Sequence, residues 1–131
     1  MEKFRFENLV IWQRGGEMAK KLFRLADIME AKKLFRFADQ IRGAGLSIPN
    51  NIAEGSGSTS KREFIQFLNI ASRSTFEIAS MVLVFSQDGL IPKDKEREIL
   101  QELDELCRMI TAFSRTLKSK ERKPESTGGR T

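Results

Sequence analysis

The chain has 131 residues, 40% hydrophobic and 31% charged, with a formal charge of +5 and one cysteine, Cys107. That length makes one domain able to bury a core without metals, and one cysteine excludes an intrachain disulfide. There is no histidine and no tyrosine, which excludes Glu-x-x-His di-iron sites, Cys/His zinc sites, imidazole acid–base chemistry and phenolic chemistry.

The opening, Met1-Glu-Lys-Phe-Arg-Phe6, has no apolar signal core, and the longest apolar run, Met81 to Phe85, is far too short to span a bilayer. The expected location is the cytoplasm, with no membrane partner. Residues 1–107 carry 16 basic and 16 acidic side chains, whereas residues 108–131 carry seven basic and two acidic. A basic terminus points to an anionic partner such as RNA or DNA; a solvated tail that aids solubility explains it equally well.

Apolar residues recur at helical spacing in four segments, which predicts an all-α, antiparallel up-and-down four-helix bundle over residues 1–118. The first helix is expected at about 8–28, with Leu9, Trp12, Gly16, Ala19, Phe23 and Ala26 on one face. The second is expected at about 34–54, with a stripe of Leu34, Ala38, Ile41, Gly45, Ile48 and Ile52. Pro49 lies inside it, where it removes one backbone hydrogen bond and crowds Gly45, so a kink is expected there. Ser47, Asn50 or Asn51 is placed to satisfy the freed carbonyl. Glu54, at the negative end of the helix dipole, is expected to pair with Arg42, Arg62 or Arg73.

The third helix is expected at 61–87, capped by Ser60 with Glu63 completing a capping box and ended by Gly89. Its main seam is Phe64, Leu68, Ala71, Thr75, Ile78, Val82 and Phe85. A second apolar line on it, Ile65, Phe76, Ala79 and Leu83, exceeds the need of one seam: either this helix lies centrally between its neighbours or, the favoured reading, it also meets another subunit. The fourth helix is expected at about 93–118, with a seam of Ile99, Leu103, Leu106, Ile110, Phe113 and Leu117. Short connections between long helices favour antiparallel neighbours. Residues 119–131 lack apolar side chains and read as a disordered basic tail.

Three blocks resemble a known family, the four-helix-bundle proteins encoded in 23S rRNA intervening sequences. They are Phe6-Glu-Asn-Leu-Val-Ile-Trp12-Gln13; Asp39-Gln40, Arg42 and Ser47-Ile-Pro-Asn-Asn-Ile-Ala-Glu-Gly55; and Ser60-Lys-Arg-Glu-Phe-Ile-Gln-Phe-Leu-Asn-Ile-Ala71 with Ser74 and Glu77. The motif positions are thus Trp12, Gln40, Arg42, Ser47, Pro49, Asn51, Glu54 and Gly55, read as mainly architectural. Gly15-Gly16 departs from the pattern, since a helix former is usual there. The resemblance implies a long four-helix bundle and assembly as a ring-like homopentamer. It also implies kinship with the accessory variability determinant of diversity-generating retroelements, which partners a reverse transcriptase and nucleic acid.

Phosphate contacts are expected from basic side chains. The first helix offers Arg14, Lys20, Lys21 and Arg24; the third offers Lys61, Arg62 and Arg73; the C-terminal end offers Arg115, Lys118, Lys120, Arg122 and Lys123. No aromatic residue is interleaved with these clusters as a stacking platform, which favours backbone or shape recognition. The Gly55–Ser60 loop before Lys61 is a candidate anion cradle but lacks the ending of a P-loop. The leading expectation is a non-catalytic homo-oligomeric adaptor that binds nucleic acid or a nucleic-acid enzyme such as a reverse transcriptase, with no cofactor, metal or small-molecule substrate. The rivals are a protein-binding scaffold without nucleic acid, and an enzyme built on Glu54 with Glu77 or Asp39.

Overall fold

A computed structural model describes residues 3–127, and side chains up to Lys120. After a single 3₁₀ turn at Arg5–Asn8 come α1 (Val10–Ala31), α2 (Phe35–Ser56), α3 (Lys61–Gln87) and α4 (Lys93–Thr127). Each helix packs on the next and α1 closes on α4, while among the described residues the diagonal pairs do not meet. This is the expected up-and-down bundle.

The stops follow from local chemistry. At the end of α3, Gly89 takes φ +78°, its N–H bonds to Ser86 O, and Leu90 N–H bonds to Phe85 O. This is the Schellman arrangement that glycine favours. α1 ends the same way, with Leu34 N–H on Met29 O, but the left-handed residue is Lys33 at φ +65°. No glycine marks that stop, and α1 runs three residues beyond the expected end. At the start of α3, Ser60 Oγ accepts Glu63 N–H at 3.1 Å, which is the Ser60 half of the expected capping box.

The second, third and fourth seams are buried as expected, with Leu34, Phe64 and Phe113 packing against the core from its rim. The first is rotated. Ile11, Gly15, Met18, Ala19, Leu22, Leu25, Ala26 and Met29 are buried, whereas Leu9, Trp12, Gly16 and Phe23 are not fully covered. The physical reason is backbone approach at Gly15. A Cβ there would lie 3.2 Å from Ile48 Cγ2 and 3.6 Å from the Pro49 nitrogen. Gly15 is therefore the residue that lets α1 close on α2, and Gly16 is not.

A Cβ at Gly16 would meet nothing within 4 Å. Gly16→Ala should then return the helix-propensity difference, stabilising the fold by about 1 kcal/mol in urea titration. A loss of stability would mean that α1 is packed more tightly at Gly16 than described.

α2 continues through Pro49 to Ser56, past the expected end at Glu54. Asn51 Nδ2 donates to Ser47 O at 2.7 Å rather than to the carbonyl of Gly45 that Pro49 frees. α4 extends to Thr127, beyond the expected end at Lys118. Residues Ser119 to Lys123 include no glycine or proline, so no stop signal divides them from the helix. Residues 128–131 of the expected tail lie outside the described residues.

Ser86 ties the end of α3 to the start of α4. Its hydroxyl donates to the Glu96 carboxylate, and Lys93 Nζ lies 3.3 Å away from that group. The Ser86 hydrogen bond, with help from Lys93, holds the Glu96 carboxyl below its ordinary range. A depressed carboxyl stabilises the fold above the unfolded-state value, and that contribution disappears as pH falls through the folded value. Ser86→Ala should therefore cost stability at about pH 7, with the gap to wild type narrowing at about pH 3 in urea titrations. A gap independent of pH would assign the loss to packing alone.

Candidate functional site

The antiparallel topology gathers at one end the start of α1, the end of α2, the start of α3 and the later part of α4. In sequence terms this half is residues 3–16, 46–73 and 108–120. It carries ten basic and three acidic side chains, while residues 17–45 and 74–107 carry ten basic and twelve acidic. The bundle is thus electrically lopsided along its axis, because acidic residues are sparse at one end.

Ten of the twelve basic residues expected to contact nucleic acid divide into two groups. Those of α1 are already in ion pairs. Arg14 Nη2 lies 2.6 Å from Glu105, and Lys21 pairs with both Glu98 and Glu102 of α4. Lys20 lies 3.5 Å from Glu17, and Arg24 lies 3.4 Å from Asp27. Hydrogen bonding to Glu102 raises the Lys21 pKa above the ordinary lysine value. Arg14 and Lys21 thus close the α1–α4 edge, Lys20 and Arg24 pair within α1, and the four present little net charge. By contrast, Lys61, Arg62, Arg73, Arg115, Lys118 and Lys120 are exposed, and none has a carboxylate within 4.0 Å among the described residues. All six belong to the cationic end. The side chains of Arg122 and Lys123 lie outside the described residues.

The α3–α4 side of the bundle continues from that end as a groove. Near Lys118 its lining is mixed, with Gln66, Asn69 and Ser72 of α3 opposite Ser114 and Arg115 of α4 and with Ile65 and Ile110 beneath them. Farther along it opens into an apolar groove of about 720 Å³ floored by Thr75, Ala79 and Leu103, with Cys107 and Leu100 on its α4 side. Phe76 is 70% exposed on its rim, and Leu83 and Val84 are 38% and 55% exposed. Of the four expected contact residues, Phe76 and Leu83 are thus open, whereas Ile65 and Ala79 are partly covered by the chain's own core. Val84 was not expected, because it lies off the Phe76–Leu83 line. Phe76 follows Arg73 by three residues, so one exposed aromatic ring borders the cationic cluster without being interleaved in it.

Most motif residues hold helices together. Trp12 packs on Phe6 with ring centroids 4.9 Å apart. Arg42 reaches from α2 to Asp27 at 3.1 Å and Glu30 at 2.5 Å near the end of α1. Its pKa is raised above the ordinary arginine value, first by the Glu30 hydrogen bond and then by that to Asp27. Ser47 and Ser74 share a 2.7 Å hydrogen bond between α2 and α3. Pro49 lies against Gly15, and Gly55 against Phe64 and Phe67. Gln40 and Glu54 are exposed. The expected ion pair of Glu54 is not formed among the described residues, because Arg42 is occupied by α1 and exposure leaves the Glu54 carboxylate to water.

Of the two rival expectations for chemistry, the anion cradle is narrowed by the turn and the carboxylate pair is not brought together. Gly55 is inside α2, so the loop shrinks to Gly57–Ser60, and the Gly57 and Ser58 N–H groups bond to Glu54 O and Gly55 O. The turn thus takes two of the N–H groups expected for an anion cradle, and Ser60 Oγ takes that of Glu63. The carboxylates offered as an enzymatic pair are exposed and separated along the bundle. Glu54 adjoins Gly55 at the level of Phe67, while Glu77 lines a shallow α2–α3 groove with Ala44. No group of three or more metal-ligating side chains is found among the described residues. No described helix is long and apolar enough to cross a membrane.

The pattern of a family described as 23S rRNA-intervening sequence protein matches residues 7–112. Among solved structures, the chain is similar to a protein with unknown function from the S23 ribosomal protein family of Bacteroides thetaiotaomicron. The two are 24% identical with a TM-score of 0.76, over 80% of this chain and 98% of that one. No curated protein matches.

Proposed function

From the premise that the chain belongs to the 23S rRNA-intervening sequence protein family, we propose that it is a non-catalytic, homo-oligomeric accessory protein that binds nucleic acid through its cationic end. The observation that carries this reading is the convergence of Lys61, Arg62, Arg73, Arg115, Lys118 and Lys120, from two helices, on one end of the bundle without carboxylate partners among the described residues. Such a cluster neutralises phosphates without reading bases. Self-association uses the α3–α4 groove, with Phe76, Leu83 and Val84 as its apolar contacts. A five-membered ring is the arrangement that the family resemblance implies. The cytoplasm is the proposed location, and the polyanion is RNA, DNA, or nucleic acid held by an enzyme such as a reverse transcriptase.

Fluorescence anisotropy of labelled single- and double-stranded RNA, at about 50 and 200 mM salt, tests the reading. Six contacts should weaken binding by roughly 10³-fold over that range. Absence of binding at low salt, from an assembled protein, would remove nucleic acid from the reading. It would leave the apolar groove as evidence for a protein-binding scaffold.

A further inference from the structure

Cyclic symmetry keeps every subunit in the same orientation relative to the ring axis, so a ring formed through the sides of this bundle sets like ends beside like ends. Each cationic half brings ten basic side chains against three acidic ones. A two-fold antiparallel pair would instead lay that end against the acid-rich half of its neighbour. Exposed apolar side chains favour the ring. They occur on α1 (Val10, Ile28) and α2 (Phe35, Leu46) as well as on α3. A head-to-tail contact needs two different surfaces, whereas a two-fold contact needs one.

Resting on the self-association reading above, we infer that assembly through the α3–α4 groove is coupled to a chain of phosphates bound across neighbouring cationic ends. The apolar contact favours assembly and the gathered positive charge opposes it. A phosphate chain long enough to reach from one subunit to the next removes the opposition. By reciprocity, the assembled protein binds that chain more tightly than a monomer does, by the same factor. Nucleic acid is then both ligand and assembly signal. The coupling is one of charge and distance, so it needs no base recognition.

Sedimentation velocity of the full chain reads this directly. Raising salt from about 50 to about 300 mM should increase the association constant by about tenfold, the reverse of an ordinary salt-bridged interface. At low salt, long-chain inorganic polyphosphate and single-stranded RNA should each raise the oligomer fraction, whereas tripolyphosphate, too short to span two subunits, should not. The Lys61→Gln/Arg62→Gln/Lys118→Gln variant changes only exposed side chains. It should assemble at low salt as the wild type does at high salt, and should not respond to polyphosphate. An oligomer whose association is flat or falls with salt would overturn the coupling while leaving self-association in place. A response to RNA but not to polyphosphate would overturn its electrostatic basis. A monomer under every condition would overturn the self-association reading itself.

Discussion

Gly55→Ala is expected to destabilise the protein by about 2–3 kcal/mol, although alanine is the better helix former by about 1 kcal/mol. A Cβ at Gly55 would lie 2.7 Å from Phe67 Cβ and 2.8 Å from Phe64 Cδ1. Phe67 Cβ is fixed to the α3 backbone, so relief requires α3 to move away from α2. Phe64 is also held, by its edge-on contact with Phe113 of α4 at 5.6 Å. The strain thus spreads to a third helix. Thermal melting should show a fall of about 10 °C. The opposite sign expected for Gly16→Ala makes the pair decisive, because helix propensity alone would stabilise both variants. A Gly55→Ala protein as stable as wild type would mean that α2 and α3 are not in close contact there.

Reversing the charges of Lys61, Arg62 and Lys118 to Glu should weaken RNA binding by at least about a hundredfold at low salt and lower the salt slope by about three. The contrasting variant is Lys20→Gln/Arg24→Gln. Those two lysine and arginine charges are already balanced by Glu17 and Asp27 on the same helix. They also lie outside the cationic half, where solvent and salt screen the carboxylates left behind, so their neutralisation should change affinity by less than about twofold. Anisotropy titrations of both variants against wild type check the division of basic residues into two groups. Equal losses would show that charge count, and not placement, governs binding. All five side chains are exposed, so far-UV circular dichroism should confirm unchanged folds.

The four helices were legible because their seams obey one period, and because Ser60 and Gly89 carry the cap chemistry that helix ends require. The α1 stop was not legible, since Lys33 adopts the left-handed conformation without the usual glycine. Its face was misread because Trp12 and Phe23 outrank Gly15 in hydrophobicity, while close packing of α1 on α2 selects the smallest residue. Of the candidate site, the sequence named the exposed stripe of Phe76 and Leu83 and the basic residues, but not which of those residues remain unpaired. Arg14 and Glu105 are 91 positions apart and 2.6 Å apart in space.

By itself, then, the sequence determined the all-α architecture, the buried seams of α2, α3 and α4, and the absence of histidine and tyrosine chemistry. Those properties depend on local periodicity and on which side chains exist at all. The tertiary structure alone decided that Arg14 and Lys21 of α1 are spent on carboxylates of α4. It also decided that Lys61, Arg62 and Arg73 join Arg115, Lys118 and Lys120 at one end. Charge acts through space and not along the chain, so its meaning is settled only when antiparallel packing fixes which helix ends are neighbours.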